Sequence, residues 1–196
     1  MSMEDGFAKG YMEKFKEGLD RIDVGKVREA TSILYGAWKA GRQVFIFGNG
    51  GSASTASHFA CDLGKGTLKR HYEDTETRFR VVSLVDNIAT MTAYGNDLSF
   101  EDIFAQQLKN LVRENDVVIA ITGSGNSPNV VKAVGEAKKR GAKTIAFLGF
   151  DGGKAGKMAD VSIIFPDTHY GRIEDSHLLL EHLICSYLKE KINSEE

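Results

Sequence analysis

The chain has 196 residues, enough for one domain with a sizeable core but too few for two. Its 25 Lys and Arg residues against 27 Asp and Glu residues give a formal net charge of -2, which excludes the basic surface typical of nucleic-acid binding. The N-terminal segment mixes acids and bases without an apolar core, so it is neither a signal peptide nor a membrane span. Cys61 and Cys185 do not form a CxxC pair, so we expect reduced, buried thiols in a cytoplasmic protein.

In chain order, two helical segments at about 4–20 and 24–41 precede a series of short apolar runs, and a long helix closes the chain at about 171–192. Because these runs do not alternate with polar residues, they are typical of strands covered on both faces. Helical patterns between them predict a single α/β domain with a doubly wound parallel sheet. The five predicted strands are 43–48, 79–84, 116–122, 143–149 and 160–166.

Ligands of such sheets bind at the carboxyl ends of the strands, where the loops here are rich in glycine and serine. Residues 48–52 read GNGGS and residues 122–128 read TGSGNSP. Glycines allow backbone N–H groups to point at an anion, and a following helix adds its positive end. Alternatively, each loop only turns the chain from strand to helix. Neither loop has the spacing of a P-loop or a dinucleotide fingerprint, which favours a small phosphorylated molecule. Hydroxyls that could bind it belong to Ser52, Thr122, Ser124 and Ser127.

His58 and Asp62 follow the first glycine-rich loop on a predicted helix over residues 52–63. Residues four apart share a helix face, so this pair could bind a metal ion or move a proton. An ordinary surface ion pair is the alternative.

The last helix concentrates further metal-ligand residue types, although the chain has only 5 His. Spacing alone favours His177 with Glu181, four residues apart. It does not exclude Glu174 with His182, which lie eight apart and could share an ion through converging side chains or between subunits. The residues by themselves leave both pairs open.

The chain resembles the SIS-domain sugar-phosphate isomerases, and within that family the phosphoheptose isomerases. Several of its sequence motifs occur in the order and at the spacing typical of this family. The resemblance covers most of the chain. It depends on GNGGSASTASHFACDL, AYGNDLSFEDIF, ITGSGNSPNVVKAV, GFDGGKAGKMAD and RIEDSHLLLEH.

The resemblance implies one SIS domain over residues 1–196, a three-layer αβα sandwich of flavodoxin-like topology with a five-stranded parallel sheet. It also implies a homotetramer with active sites at subunit interfaces and the helices of residues 1–41 at the interface. One Zn²⁺ per subunit is implied, bound by His58, Asp62, Glu174 and His182. The residues that it places on the sugar phosphate are Asn49, Gly50, Gly51, Ser52, Asp86, Thr122, Gly123, Ser124, Ser127 and Glu174.

The implied reaction converts sedoheptulose 7-phosphate to D-glycero-D-manno-heptose 7-phosphate through an enediol, a step in heptose biosynthesis. Such a reaction needs a base near carbon, an acid near oxygen and stabilisation of oxyanion charge. We assign Asp62 as the base and His182 as the second proton-transfer group, with zinc as the Lewis acid. His177 is then structural or supports these residues.

Four residues depart from the family's pattern. Asp62 stands where the family usually has the longer Glu, and Glu174 stands where it usually has Gln. Gly123 replaces a hydroxyl residue of the phosphate loop, and Gly171 replaces an acidic residue. With these changes a sugar phosphate is still the expected ligand, but its identity is left open.

Two other functions remain open at this point. One is an isomerase of another sugar phosphate. The other is a non-catalytic SIS protein that binds a protein partner, similar to the bacterial replication-initiator-associating relative, although that relative lacks the metal-site residues.

Overall fold

The computed structural model describes residues 3–68 and 76–194. The first half contains helices α1 (Met3–Leu19) and α2 (Val24–Lys39), strand β1 (Gln43–Gly48), helix α3 (Gly51–Cys61), strand β2 (Arg80–Ser83), and helices α4 (Ile88–Asp97) and α5 (Ala105–Leu111). The second half contains β3 (Val117–Thr122), α6 (Pro128–Lys139), β4 (Lys143–Leu148), α7 (Gly153–Met158), β5 (Val161–Ile164) and α8 (Tyr170–Ser194).

The five strands form one parallel sheet in the order β2-β1-β3-β4-β5. This is the flavodoxin-like order, and it confirms the predicted fold. Apolar side chains form two buried clusters, one on each face of the sheet. One cluster includes Leu34, Phe59 and Ile184, from α2, α3 and α8. The other includes Leu108 and Val130, from α5 and α6. The sheet is therefore the middle layer of an αβα sandwich.

The strand order reverses between β1 and β3, which are neighbours in the sheet. The helices that follow them, α3 and α6, contribute to opposite core clusters. The two loops therefore diverge and leave a crevice at the carboxyl edge of the sheet, where this class of fold binds its ligand. Both glycine-rich loops of the sequence lie there.

Helix α8 packs beside α3 on the same face of the sheet. Its buried face contributes Leu180, Ile184 and Leu188 to the core cluster that also contains Phe59. Both helices start near the crevice, so side chains on α3 and α8 can meet at a distance from the loops. This packing brings the sequence segments 51–61 and 170–194 together.

Helix α3 ends earlier than the predicted helix over 52–63, and a π-helical turn follows at Asp62–Gly66. Asp62 keeps α-helical backbone angles, with φ -71 and ψ -38, so His58 and Asp62 still share a face. Single π-helical turns are frequent at functional sites because they redirect a side chain locally. Cys185 is buried, but Cys61 is exposed, so the expectation of two buried thiols is wrong for Cys61.

Candidate active site

The loops after β1 and β3 enclose a small cavity of about 140 Å³ at the crevice. Hydroxyl and amide groups from both loops face it, as the sequence predicts for a phosphate site. The start of α8 closes the third side with two further side chains. The lining residues are Asn49, Ser52, Thr122, Gly123, Ser124, Ser127, Tyr170 and Glu174.

The residues that precede the two helices at this cavity make no side-chain cap to them. Gly50 precedes α3 with φ +56, and no side chain caps that helix. Ser127 precedes α6 but donates and accepts no capping hydrogen bond, and Pro128 occupies the first helical turn. The first N–H groups of a helix without a side-chain cap are available to an anion. Gly50 and Gly51 thus shape the loop rather than line the cavity.

Gly125 fixes the second loop against its neighbour. A Cβ at this residue, whose φ is +64, would lie 2.0 Å from the carbonyl oxygen of Gly152. The Gly125 carbonyl accepts a hydrogen bond from Ala155 N–H at 2.8 Å. Only glycine fits this close approach, which holds the loop after β3 against the start of α7.

Asn129 positions a residue of the first loop. The Asn49 and Asn129 side-chain amides exchange two hydrogen bonds of 2.9 Å, and Asn129 Oδ1 also accepts one from Val130 N–H. Asn129 is only 2 % exposed. This pair joins the two loops across the crevice. Sequence reasoning missed it, because nothing in the spacing of Asn49 and Asn129 indicates contact.

Two glycines make room for side chains from α8. A Cβ on Gly51 would lie 2.5 Å from Glu174 Oε2, and a Cβ on Gly123 would lie 3.0 Å from the Tyr170 ring. Position 123, where the family usually has a hydroxyl residue, is therefore a glycine that leaves room for the Tyr170 ring over the loop. Of the described residues that line this cavity, Tyr170 is the one that sequence reasoning did not select.

A second group of polar residues lies where α3 meets α8. His58 Nε2 is 3.4 Å from His182 Nε2 and 3.6 Å from Asp62 Oδ2, while His182 Nε2 is 3.8 Å from the same Asp62 oxygen. Ligand atoms of a tetrahedral ion with bonds of about 2.0–2.2 Å lie about 3.3–3.6 Å apart. These three side chains, each partly exposed, have the spacing of a metal site.

Glu181 completes this group from the buried side. Its Oε2 lies 3.4 Å from His182 Nε2, and one ligand atom from each of His58, Asp62, Glu181 and His182 falls within 4.8 Å of the others. Glu181 is 0 % exposed, and neither of its carboxylate oxygens makes a hydrogen bond to the described residues. Burial, and then the nearby Asp62 carboxylate, raise the pKa of Glu181 to about 8.

The structure brings together three of the four residues predicted to bind metal. Glu174 lies in the loop cavity instead, and Glu181 occupies the fourth place in the cluster. Asp86 does not line the loop cavity. It accepts a very short hydrogen bond from Ser57, the residue before His58.

His177 lies in the core, where its ring centroid is 6.2 Å from that of Phe147. Burial lowers the pKa of His177 to about 4, so the imidazole is neutral at physiological pH. The helix spacing that favoured His177 with Glu181 therefore identified one residue of the cluster, Glu181, but not His177.

The loop cavity and the cluster lie along the same two helices. On α3, Ser52 is six residues before His58, or about 9 Å along the axis, and on α8 Glu174 is eight residues before His182, or about 12 Å. An anion held at the loops can thus have the rest of its molecule at the imidazole and carboxylate groups. Among the helices of residues 3–68 and 76–194, none is long and apolar enough to cross a membrane.

The sequence matches the SIS domain family over residues 10–149. The phosphoheptose isomerase of Thermodesulfovibrio yellowstonii is 34% identical over 192 residues, which cover 97% of this chain and 93% of that protein. The one from Nitratiruptor sp. is 38% identical over 161 residues, covering 82% and 83%.

Solved structures agree with these relatives. Phosphoheptose isomerase GmhA from Neisseria gonorrhoeae superimposes with a TM-score of 0.86 at 31% identity, over 96% of this chain and 100% of that one. A phosphoheptose isomerase from Francisella tularensis gives a TM-score of 0.85 at 28% identity, over 97% and 100%. On these matches the chain belongs to the SIS-domain family and, within it, to the phosphoheptose isomerases.

Proposed function

We propose that the protein is a sugar-phosphate isomerase that converts sedoheptulose 7-phosphate to D-glycero-D-manno-heptose 7-phosphate in heptose biosynthesis. The observation that carries this proposal is the alignment of two sites along α3 and α8. A hydroxyl-lined cavity lies at one end of these helices, and His58, Asp62 and His182 converge further along them. An open-chain heptose phosphate is long enough to reach both.

The loop cavity binds the phosphate in this proposal. Ser52, Thr122, Ser124 and Ser127 donate hydroxyl hydrogen bonds, and the N-terminus of α3, which no side chain caps, adds N–H groups. Asn49 is held in place for a sugar hydroxyl by its paired hydrogen bonds to Asn129. Asp86, fixed by Ser57 beside His58, is placed for a hydroxyl further along the sugar.

In this proposal, residues of the cluster where α3 meets α8 transfer the protons. Isomerisation removes a proton from C1 of the ketose and returns one to C2, while another proton moves between the two oxygens. In this proposal Asp62 is the base at carbon and His182 is the second residue that transfers a proton, and the two side chains lie 3.8 Å apart at their nearest ligand atoms. Both side chains are partly exposed, so a substrate can reach them.

The donor set fits a zinc ion. Two imidazole nitrogens and one carboxylate oxygen are ligand types that zinc prefers, and their separations of 3.4, 3.6 and 3.8 Å are close to those of a tetrahedral centre. His58, Asp62 and His182 would hold one ion per subunit. When bound, zinc supplies a Lewis acid for the oxyanion charge of the enediol.

We also propose that the chain assembles as a cytoplasmic homotetramer with α1 and α2 at the subunit interface. Support comes from an apolar groove between α2 and α8, where Val24, Leu183 and Tyr187 are 75%, 47% and 50% exposed. Such surface is typical of an interface. The exposed Cys61 and buried Cys185 are both free, as is usual in a reducing compartment.

The test is conversion of sedoheptulose 7-phosphate by the purified protein with zinc supplied, followed by NMR of the sugar carbons. We expect signals of the aldose, and no conversion by the His182→Ala variant. Fructose 6-phosphate and ribulose 5-phosphate are parallel substrates: faster conversion of either assigns the enzyme to another sugar phosphate. No conversion of any of them favours the non-catalytic alternative.

A further inference from the structure

Glu181 is a buried carboxylate that neither the fold nor the proposed reaction explains so far. It lies on the core-facing side of α8 among Leu180, Ile184 and Cys185, at 0 % exposure. A carboxylate in such surroundings is stabilised only when it is hydrogen-bonded, paired with a cation or bound to a metal. Neither Glu181 oxygen makes a hydrogen bond to the described residues. Both Glu181 oxygens are therefore available to a further partner.

The open side of Glu181 faces the polar cluster. Its Oε2 is 3.4 Å from His182 Nε2, which matches the 3.4 Å between the His58 and His182 nitrogens. Donor atoms of Glu181, His58, Asp62 and His182 all lie within 4.8 Å of one another. Four donors at this spacing describe the corners of one small coordination sphere.

Charge supports the same assignment. Two imidazoles and two carboxylates around a divalent ion give a neutral centre, whereas the two carboxylates alone repel each other at this distance. Asp62 is one methylene shorter than the Glu usual in the family. Glu181 has the longer side chain and lies on the buried side of the cluster, so it would add a carboxylate ligand there.

Glu174 is not placed to share this ion. Its carboxylate lies against Gly51, 2.5 Å from where a Cβ would be, and it lines the loop cavity. It stands eight residues, or about 12 Å along α8, from His182. Position 174, which the family resemblance assigns to the metal, therefore belongs to the sugar-phosphate cavity in this chain.

We infer that Glu181 is the fourth protein ligand of the metal ion, in the place that sequence resemblance gives to Glu174. The inference rests on the proposed metal site of His58, Asp62 and His182. Glu181 closes the buried side of the ion, while His58 and His182, whose side chains are 45% and 49% exposed, leave the solvent side open to the sugar.

Zinc affinity of purified protein, measured by competition with a chromophoric chelator, tests this directly. The wild type should bind one equivalent per chain. Glu181→Leu should bind at least about 10-fold more weakly, because it removes a ligand. Glu174→Ala is the matched control, and its zinc affinity should stay within about threefold of the wild type.

Thermal unfolding separates a ligand from a residue needed only for packing. With excess chelator, Glu181→Leu should melt at or above the wild-type temperature, since it replaces an unsatisfied buried carboxylate by an apolar side chain. Added zinc should raise the melting temperature of the wild type and of Glu174→Ala, but much less that of Glu181→Leu. If metal-free Glu181→Leu melts below the metal-free wild type, the nearly isosteric Glu181→Gln variant replaces it in the zinc-affinity measurement.

The inference is overturned if the Glu181 variants bind zinc as tightly as the wild type, or if Glu174→Ala alone loses affinity. A wild-type protein that binds no zinc overturns the metal site itself, and the inference with it. Loss of sugar conversion in a protein that still binds zinc would contradict only the proposed reaction.

Discussion

His58 and His182 are 124 residues apart in the chain, yet their Nε2 atoms lie 3.4 Å apart, with the two rings nearly perpendicular at 79°. Neither helix alone creates this pair. It forms because α3 and α8 pack on the same face of the sheet through Phe59 and Leu180. The cluster of His58, Asp62, Glu181 and His182 therefore depends directly on the packing of two helices that are distant in sequence.

The two histidines of α8 should respond differently to replacement by alanine. His182 is half-exposed at the cluster, so His182→Ala should leave the fold intact and reduce kcat by at least about 100-fold. His177 is fully buried, so His177→Ala should lower the free energy of unfolding by about 2 kcal/mol or more and kcat only modestly. Steady-state kinetics and urea unfolding measure both. Equal losses of kcat in two equally stable variants would contradict the assignment.

Ser124 should act on binding rather than on chemistry, because it lies at the phosphate end of the site. Ser124→Ala should raise KM for the sugar phosphate about 10-fold, as expected for the loss of one hydrogen bond to a charged group, with little change in kcat. Ser54→Ala is the control, since Ser54 is exposed on α3 away from the cavity. A variant that lost kcat with KM unchanged would place this hydroxyl in the proton transfer.

Gly123 and Tyr170 should be coupled. A Cβ at position 123 would lie 3.0 Å from Tyr170 Cε1, so Gly123→Ser should displace the ring and raise KM several-fold. Tyr170→Ala in the same protein should remove most of that effect. A double-mutant cycle on KM measures the coupling. Additive effects of the two substitutions would show that the ring does not constrain the loop.

His177 should make stability depend on pH. Burial lowers the pKa of His177 in the folded state to about 4, so its neutral form stabilises the fold above the unfolded-state pKa of about 6.5. That contribution is lost as pH falls from 6.5 toward 4. Glu181 has the opposite effect on stability in metal-free protein. Its pKa is raised to about 8, so its contribution to stability is lost as pH rises toward 8.

A comparison of variants isolates the His177 contribution. The stability difference between the wild type and His177→Leu, measured by urea unfolding with chelator present, should shift by about 2 kcal/mol in favour of the variant between pH 7.5 and pH 5. Glu181 is present in both proteins and cancels. A difference independent of pH would show that the pKa of His177 is the same in the folded and unfolded states, and so is not lowered by burial.

The groove between α2 and α8 should control assembly. Leu183→Glu places a charge in its centre and should reduce the mass of the particle in light scattering, with loss of activity if sites form at interfaces. Lys189→Glu, on a different face of α8, is the control. If Leu183→Glu assembles like the wild type, the subunit interface lies on another surface.

The fold could be predicted from sequence because its strands are unalternated apolar runs. The predicted first strand, 43–48, coincides with β1, and the other four differ by no more than two residues at either end. Most of the cavity could be predicted for a related reason: in this class of fold the ligand crevice lies at the carboxyl ends of the strands, whatever the sequences of the loops there.

The proposed metal site was harder to predict because helix spacing shows which residues share a face, not which face meets another helix. Glu181 looked like a member of a polar face, but it lies among Leu180 and Ile184 in the core. A carboxylate at a position where the helical period requires an apolar residue is the signal that could have found it. The Asn49 and Asn129 pair gave no comparable signal.

The most direct test of the account is the structure of the protein with sedoheptulose 7-phosphate bound. We predict phosphate oxygens within hydrogen-bond distance of Ser52, Ser124 and Ser127, and C1 and C2 of the same molecule beside Asp62 and His182. A phosphate bound elsewhere, or a sugar directed away from α3 and α8, would contradict it.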